Sequence, residues 1–344
     1  MPLPDAAKAA DEFIRRLRVL EDAASQQLVD AYTPIWQRLR ANINGLLEEV
    51  QHRALTVAQA QRLSRYNSLL EQVASEVGIY SRNTAVVIGE SQVGAVGLAQ
   101  ASARQVTALA LPRGLTMNIL ARAGIAWDQL PAEAFERFIG IAGDGSPLAR
   151  LLSPLGAEAR EGVIQAIGEG IALGKSPRDT AALVRVRFGM PLSRSLGIVR
   201  TETLRAFREA NRLQYVANQN IVKGYRRHSA RDGRVCMACI ALDGEFYPLE
   251  KPLNEHSGGR CALLPDTITY RDLGLDVDEA PSDFESASDW FLKQPEKVQR
   301  TMMGPGKFTA WRAGEFQLKD MAKLVQNETW GEAAVVAPLK ELVG

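Results

Sequence analysis

The residues best suited to chemistry lie in one window, Arg231 to Pro265, which holds all three cysteines of the 344-residue chain and one of its three histidines. Cys236 and Cys239 form a CxxC; His256 follows after sixteen intervening residues and Cys261 after four more. A CxxC turn aims two thiolates at one point about 2.3 Å away, and a second turn carrying His and Cys closes a tetrahedron without leaving a position for water. The spacing therefore predicts a structural Zn2+ site with Cys236, Cys239, His256 and Cys261 as ligands. Gly233, Gly244, Gly258 and Gly259 fall where two such turns need positive φ or close backbone approach. Disulfides fit poorly, because three is an odd number and no export signal precedes the chain. A thioredoxin-like role wants the CxxC at a helix start inside a βαβ unit, whereas this one follows a basic segment and precedes a short β-like run. His228 is a substitute ligand in principle, but its early position favours His256.

The elements that position this window are mostly helical. From Asp5 to about Ala110, apolar residues recur at steps of three or four: Phe13, Leu17, Leu20, Ala24 and Leu28, then Tyr32, Trp36, Leu39, Ile43, Leu46 and Val50. Thr33-Pro34 reads as an N-cap with proline at the first helical position, so one helix kinks there or two meet. Thr56 to Gln59 resembles a capping box and leads into a narrow seam of Leu63, Tyr66, Leu70, Val73, Val77 and Tyr80. An antiparallel hairpin burying its own seam is expected over a seam kept for a partner. Shorter helices follow, with Gly174 as a C-cap and Ser176-Pro177 starting a helix through about Phe188. Ile221 to Ser229 alternates as a strand that delivers the chain to the cysteine window. Beyond it, Asp266 to Ser288 is acidic and loop-like, Asp289-Trp290 opens a short helix, and Phe316, Leu318, Met321, Leu324 and Val325 suggest a further amphipathic one.

The expected fold is thus mainly α: a long N-terminal helical hairpin or stalk plus a small α+β domain with a zinc knuckle. The expected divisions are a stalk over 1–111, a helical module over 112–190, an α+β core with the knuckle over 191–275 and a helical extension over 276–344. Lys and Arg number 41 against 40 Asp and Glu, so no global attraction to nucleic acid or membrane is implied. No uninterrupted apolar stretch approaches membrane-spanning length and the N-terminus lacks an export pattern, so a cytoplasm, or something assembled there, is expected.

Pro191 to Asn218 is the strongest helix of the middle region. Between Arg194 and Arg234 lie ten basic residues (Arg194, Arg200, Arg205, Arg208, Arg212, Lys223, Arg226, Arg227, Arg231 and Arg234) and three acidic ones (Glu202, Glu209 and Asp232). Such an excess can neutralise phosphates. It equally describes a solvated helix face with a few arginines gripping a partner protein, and the sparse aromatic interleaving favours that. Arg200, Glu202, Arg205, Arg208, Arg212, Arg226 and Arg227 are the candidates for partner or phosphate contact.

The run IVRTET (Ile198 to Thr203) on a helix, a strand ending near His228, then RDGRVCMACIALDGE and a His and Cys before a proline resemble the phage head morphogenesis family, minor head proteins typified by the F protein of phage Mu. DWFLKQPEKVQRTMMGPGKFTAWRAGEFQLKDM (Asp289 to Met321) is similar to the segment that follows that domain in many members, so the resemblance covers roughly Gly143 to Met321. One departure stands out. The family often closes its knuckle with a histidine followed by Cys-Arg-Cys, whereas this chain has His256-Ser-Gly-Gly-Arg260-Cys261.

The resemblance implies a structural protein of a tailed phage head, present near the portal vertex and the inner capsid face, and no catalytic activity. Its implied partners are the portal protein, the major capsid or scaffold protein and packaged DNA, with no membrane and no small-molecule substrate. The competing readings are an HNH-like zinc-knuckle nuclease and a nucleic-acid-binding module. The nuclease needs a histidine base beside further metal ligands, and with His256 on zinc only His228 near Asp232 or Asp243 is left in this region. A zinc deaminase would place H-x-E before P-C-x-x-C, the reverse of the order here.

Overall fold

The structure, a computed structural model, describes residues 4–253, 255–278 and 285–344. Helix makes up 64% of it and the strands form only small sheets, so the protein is mainly α. Two long helices open the chain: α1, Pro4–His52, and, after the single turn α2, Val57–Ala60, the helix α3, Ser64–Ala110. Short α4, Met117–Arg122, and α5, Leu148–Leu152, lead to α6, Leu155–Ala172, α7, Pro177–Phe188, and α8, Met190–Ala217. Then come β1, Val222–His228, the one-turn α9, Met237–Ala241, β2, Phe246–Tyr247, and β3, Ala262–Thr267. Helices α10, Ala287–Leu292, α11, Glu296–Met303, and α12, Pro305–Arg312, precede strands β4, Ala322–Asn327, and β5, Gly331–Val336, and the closing turn α13, Leu339–Leu342.

The chain divides into two compact units. The first is built from Met1–Leu20, Gln92–Ile139 and Thr203–Gly344, the second from Glu21–Ser91 and Gly140–Glu202. In the second unit the two apolar seams read from the sequence close on each other. Leu39, Ile43 and Leu46 of α1 share one buried cluster with Leu70, Val73 and Val77 of α3, and Val163, Ile167, Val184 and Phe188 of α6 and α7 complete it. Each such side chain contributes about 1.5 to 3 kcal/mol by leaving water. The cluster is held on both sides of Pro34, and α1 runs through that proline without ending. Thr33 is accordingly no N-cap: its hydroxyl donates to the Val29 carbonyl at 2.8 Å. Packing overrides a local break that costs one backbone donor. The local signals at α2 and α7 are satisfied as expected, with both halves of the Thr56–Gln59 capping box formed and Ser176 capping α7 ahead of Pro177.

Close packing in this unit depends on one glycine. A Cβ built on Gly156 of α6 would lie 2.8 Å from the Ala74 carbonyl oxygen of α3, while one built on Gly168 meets nothing within 4 Å. Gly156→Ala is expected to cost about 1–3 kcal/mol by forcing the helices apart. Gly168→Ala should be neutral or stabilising by up to about 1 kcal/mol, since alanine favours helix. Urea midpoints of the two variants, at unchanged slope, check the contrast.

In the first unit β1 is the centre of an antiparallel sheet of order β2-β1-β3, in register at Tyr225↔Tyr247, Arg227↔Leu263 and His228↔Ala262. The helix expected around Phe316 to Val325 is instead a 3-10 turn, Leu318–Met321, followed by the β4–β5 hairpin. The turn explains the switch. The Asn327 side-chain oxygen accepts from the Thr329 and Trp330 amides at 2.9 Å each, and Gly331 adopts φ +76°, which fixes a reversal that helical spacing does not reveal. The expected acidic loop from Asp266 to Ser288 falls partly at 279–284, outside the described residues. Before that gap β3 extends to Thr267, and after it α10 starts from the Ser286 cap, ahead of the expected Asp289-Trp290.

Candidate metal centre

The CxxC opens a helix. Cys236 takes the N-cap of α9, its sulfur accepting from the Cys239 amide at 3.3 Å, and Cys239 sits in the first turn. This corrects the expectation that a β-like run follows directly. The surrounding sheet is antiparallel, so the βαβ setting of a thioredoxin-like motif does not arise. The β2–β3 loop returns with His256, and β3 begins immediately after Cys261.

These elements bring three donor atoms together. The sulfurs of Cys236 and Cys239 are 3.2 Å apart, and the His256 Nε2 lies 3.2 Å from the first and 3.4 Å from the second. His256 Nδ1 is 2.9 Å from the Ser257 carbonyl, which favours a proton on that nitrogen and leaves Nε2 free to ligate. Cys236, Cys239 and His256 form a group that could hold a metal ion. Bonds of about 2.3 Å to sulfur and 2.0 Å to nitrogen would set the sulfurs about 3.8 Å apart, so the triangle need open by only about half an ångström to accept an ion. The donor set, two soft thiolates and an imidazole, suits zinc-like ions over hard ones such as Mg2+.

The electrostatics of the group agree with that use. A hydrogen bond from Cys239, aided by His256, pulls the Cys236 thiol down to about 5 against the cost of burial. The same partnership holds His256 up to about 9. Cys239 is pushed well up by its contacts with Cys236 and Cys261 and by burial. The Cys236 thiolate thus stands in contact with an imidazolium, and a bound cation would displace the protons held by His256 and by the Cys239 thiol.

Cys261 is placed differently from the expectation. It forms a second candidate group, with Cys239 and Glu255. Its sulfur lies 3.6 Å from Arg227 Nη1 and 3.8 Å from Ser229 Oγ. Nothing in the local sequence marks Glu255, an acid in a polar loop, as part of the site. It is fully buried, with Oε1 3.5 Å from the Cys239 sulfur and 3.4 Å from His256 Nε2, and Oε2 accepting from Arg227 Nη1 at 3.3 Å. Burial works to raise its carboxyl, but Arg227 and Arg208 outweigh it and hold the group below the ordinary carboxylate range. Gly259 makes room for it, since a Cβ there would fall 2.3 Å from the Glu255 carboxyl carbon.

No family model, no curated protein and no solved structure matches the chain.

The arginines nominated for partner or phosphate contact split into two sets. Arg227 and Arg208 are buried: the first reaches Glu255 and the Tyr247 hydroxyl, the second donates to the Gly259 carbonyl at 2.8 Å. Both belong to the support of the cysteine window, and burial removes them from any surface a phosphate could reach. Glu202 is also buried, accepting from the Gly143 amide at 3.3 Å in the second unit. Arg200 is exposed and ion-paired with the buried Glu21 of that unit. Arg205, Arg212 and Arg226 are half-buried; Arg212 pairs with Glu209 at 3.0 Å and Arg226 with Asp266 at 3.2 Å. His228, the substitute ligand, is 1% exposed on the opposite face of β1 from Arg227, with Nε2 2.8 Å from Asp11 and Nδ1 3.0 Å from Arg231.

Proposed function

We propose that this protein is a structural component of a tailed-phage head, a minor head protein that docks near the portal and the inner capsid face and assists assembly and the packaging or ejection of DNA. In this reading the ion at Cys236, Cys239 and His256 is structural zinc. Its role is to pin a compact docking domain. The observation that carries the proposal is the ordered series of motifs from IVRTET through RDGRVCMACIALDGE to the tail starting at Asp289, which resembles the phage head morphogenesis family. The site geometry supports a structural role over turnover. The donors gather among buried partners, and His228, the base a nuclease would need, is buried and engaged with Asp11 and Arg231. A phosphate-binding role is weakened by the inward turn of Arg208 and Arg227. Among the described residues no helix is long and apolar enough to cross a membrane.

The implied partners are a portal ring and the major capsid or scaffold protein. Co-expression with the portal and capsid genes of the same genome, followed by purification of heads, tests the proposal. The protein is expected to co-sediment with heads and to remain attached to the isolated portal ring through moderate salt. Its absence from purified particles refutes the assignment. Loss of attachment between low and moderate salt, alongside salt-sensitive DNA retention, would favour the nucleic-acid-binding reading instead.

A further inference from the structure

We infer that Glu255, and not Cys261, is the fourth metal ligand, giving a site of two thiolates, one imidazole and one carboxylate. This rests on the reading of Cys236, Cys239 and His256 as a metal centre and deepens it. The argument is geometric. Cys236, Cys239 and His256 form one triangle of 3.2, 3.2 and 3.4 Å edges. Glu255 Oε1 forms a second triangle on the Cys239–His256 edge, at 3.5 Å from the sulfur and 3.4 Å from the nitrogen. Two triangles sharing an edge supply five of the six edges of a tetrahedron, the sixth being the one from Cys236 to Glu255. With metal bonds of about 2.0–2.2 Å to oxygen and nitrogen and 2.3 Å to sulfur, the oxygen–nitrogen and oxygen–sulfur edges of such a site are about 3.4 and 3.6 Å. The distances made by Glu255 already match. Within 4.8 Å Cys261 groups with Cys239 and Glu255, and neither it nor Glu255 groups with the whole Cys236–Cys239–His256 set, so the Glu255 oxygen would close on Cys236 as the ion enters.

The surroundings of Glu255 are those of a ligating carboxylate. Its Oε2 is held by the Arg227 guanidinium, and the backbone amide of His256 donates to Oε1 at 3.1 Å, so the group is oriented from both ends. A buried carboxylate needs a reason to be there, because one left without a cation costs several kcal/mol. Arg227 and Arg208 compensate it, and a metal would add to them on the Oε1 side. Cys261 then lies behind the ligands, receiving Arg227 Nη1 at 3.6 Å and reaching Ser229 Oγ at 3.8 Å.

The test uses the full chain loaded with one equivalent of Zn2+, and separately with Co2+. X-ray absorption of the zinc form counts sulfur neighbours without any mutation. Two sulfurs and two nitrogen or oxygen neighbours are expected; three sulfurs overturn the inference while leaving the metal centre in place. In the cobalt form, Cys261→Ser is expected to leave the thiolate-to-metal absorption per bound ion unchanged, and a loss of about one third would overturn the inference. Glu255→Gln should weaken zinc binding by roughly 10- to 100-fold in a chelator competition, and Cys261→Ser by less than about threefold. The reverse ranking counts against Glu255. A protein that takes up no stoichiometric metal refutes the metal centre itself, and the inference falls with it.

Discussion

Cys239→Ser is expected to open residues 231–265 and leave the second unit as it was. Cys239 is the shared corner of the site: it is buried, it lies within 3.5 Å of Cys236, His256 and Glu255, and it belongs to both candidate ligand groups. Serine is shorter and a poor ligand for a soft cation, so the variant loses the ion. Structural zinc contributes on the order of 10 kcal/mol to small sites at neutral pH. Here the loss is expected to be smaller than that, because the β1–β3 pairing and the buried Arg227–Glu255 pair also hold this window. Hydrogen exchange read by mass spectrometry is the measurement. Amides of α9 and of the β2–β3 loop should exchange at least tenfold faster in the variant, and a chelator on the native protein should reproduce the pattern. Protection in α6 and α7 should not move, since their core lies wholly within the second unit. Equal exchange in the cysteine window before and after metal loss means that no ion holds it.

The second large effect is expected at Arg227. Its side chain is 0% exposed, and one guanidinium contacts Glu255 at 3.3 Å, the Tyr247 hydroxyl at 3.3 Å and the Cys261 sulfur at 3.6 Å. Arg227→Met keeps most of the volume and removes the charge, leaving a buried carboxylate without its partner, a change that costs about 3–5 kcal/mol. Arg227→Lys restores the charge but not the fork, because a lysine cannot reach carboxylate, phenol and thiol at once. It should fall between the two. Urea unfolding of the metal-free proteins reads the series and keeps loss of metal out of the comparison. A penalty below about 1 kcal/mol for Arg227→Met would mean that water or another group reaches Glu255 in its place. The same variant discriminates functional readings: were Arg227 a phosphate contact, its removal would weaken DNA binding with little effect on stability.

The two substitutions mark what the sequence made legible and what it left hidden. Cys236, Cys239 and His256 were readable because thiol and imidazole are rare, chemically distinctive and closely spaced, and a CxxC can be satisfied within one turn. Glu255 was not, because an acid in a polar loop ordinarily faces water. What buries it is non-local: Arg227 on β1 and the missing side chain of Gly259. Likewise the basic excess between Arg194 and Arg234 is a count without direction, and Arg208 turns inward because the loop ending at Cys261 packs against it. The helical seams of α1 and α3 and the cap of α7 were written in local periodicity and side-chain chemistry. The β4–β5 hairpin was misread because Leu318, Met321, Leu324 and Val325 carry helical spacing by coincidence, while the turn that decides the matter rests on a single asparagine side chain and one glycine.

The order of segments in the two units bears on synthesis. The second unit draws on 21–91 and 140–202, so all of its parts have been made when the first unit still awaits everything from Thr203 onward. Emergence from the ribosome therefore favours completing the second unit first. The candidate metal ligands, by contrast, come from a short run of chain, so an ion bound there would be captured soon after that run appears, giving the last-made unit a fixed point at which to condense. Limited proteolysis of ribosome-arrested chains of increasing length should find 21–91 and 140–202 protected before any fragment containing Cys261 is.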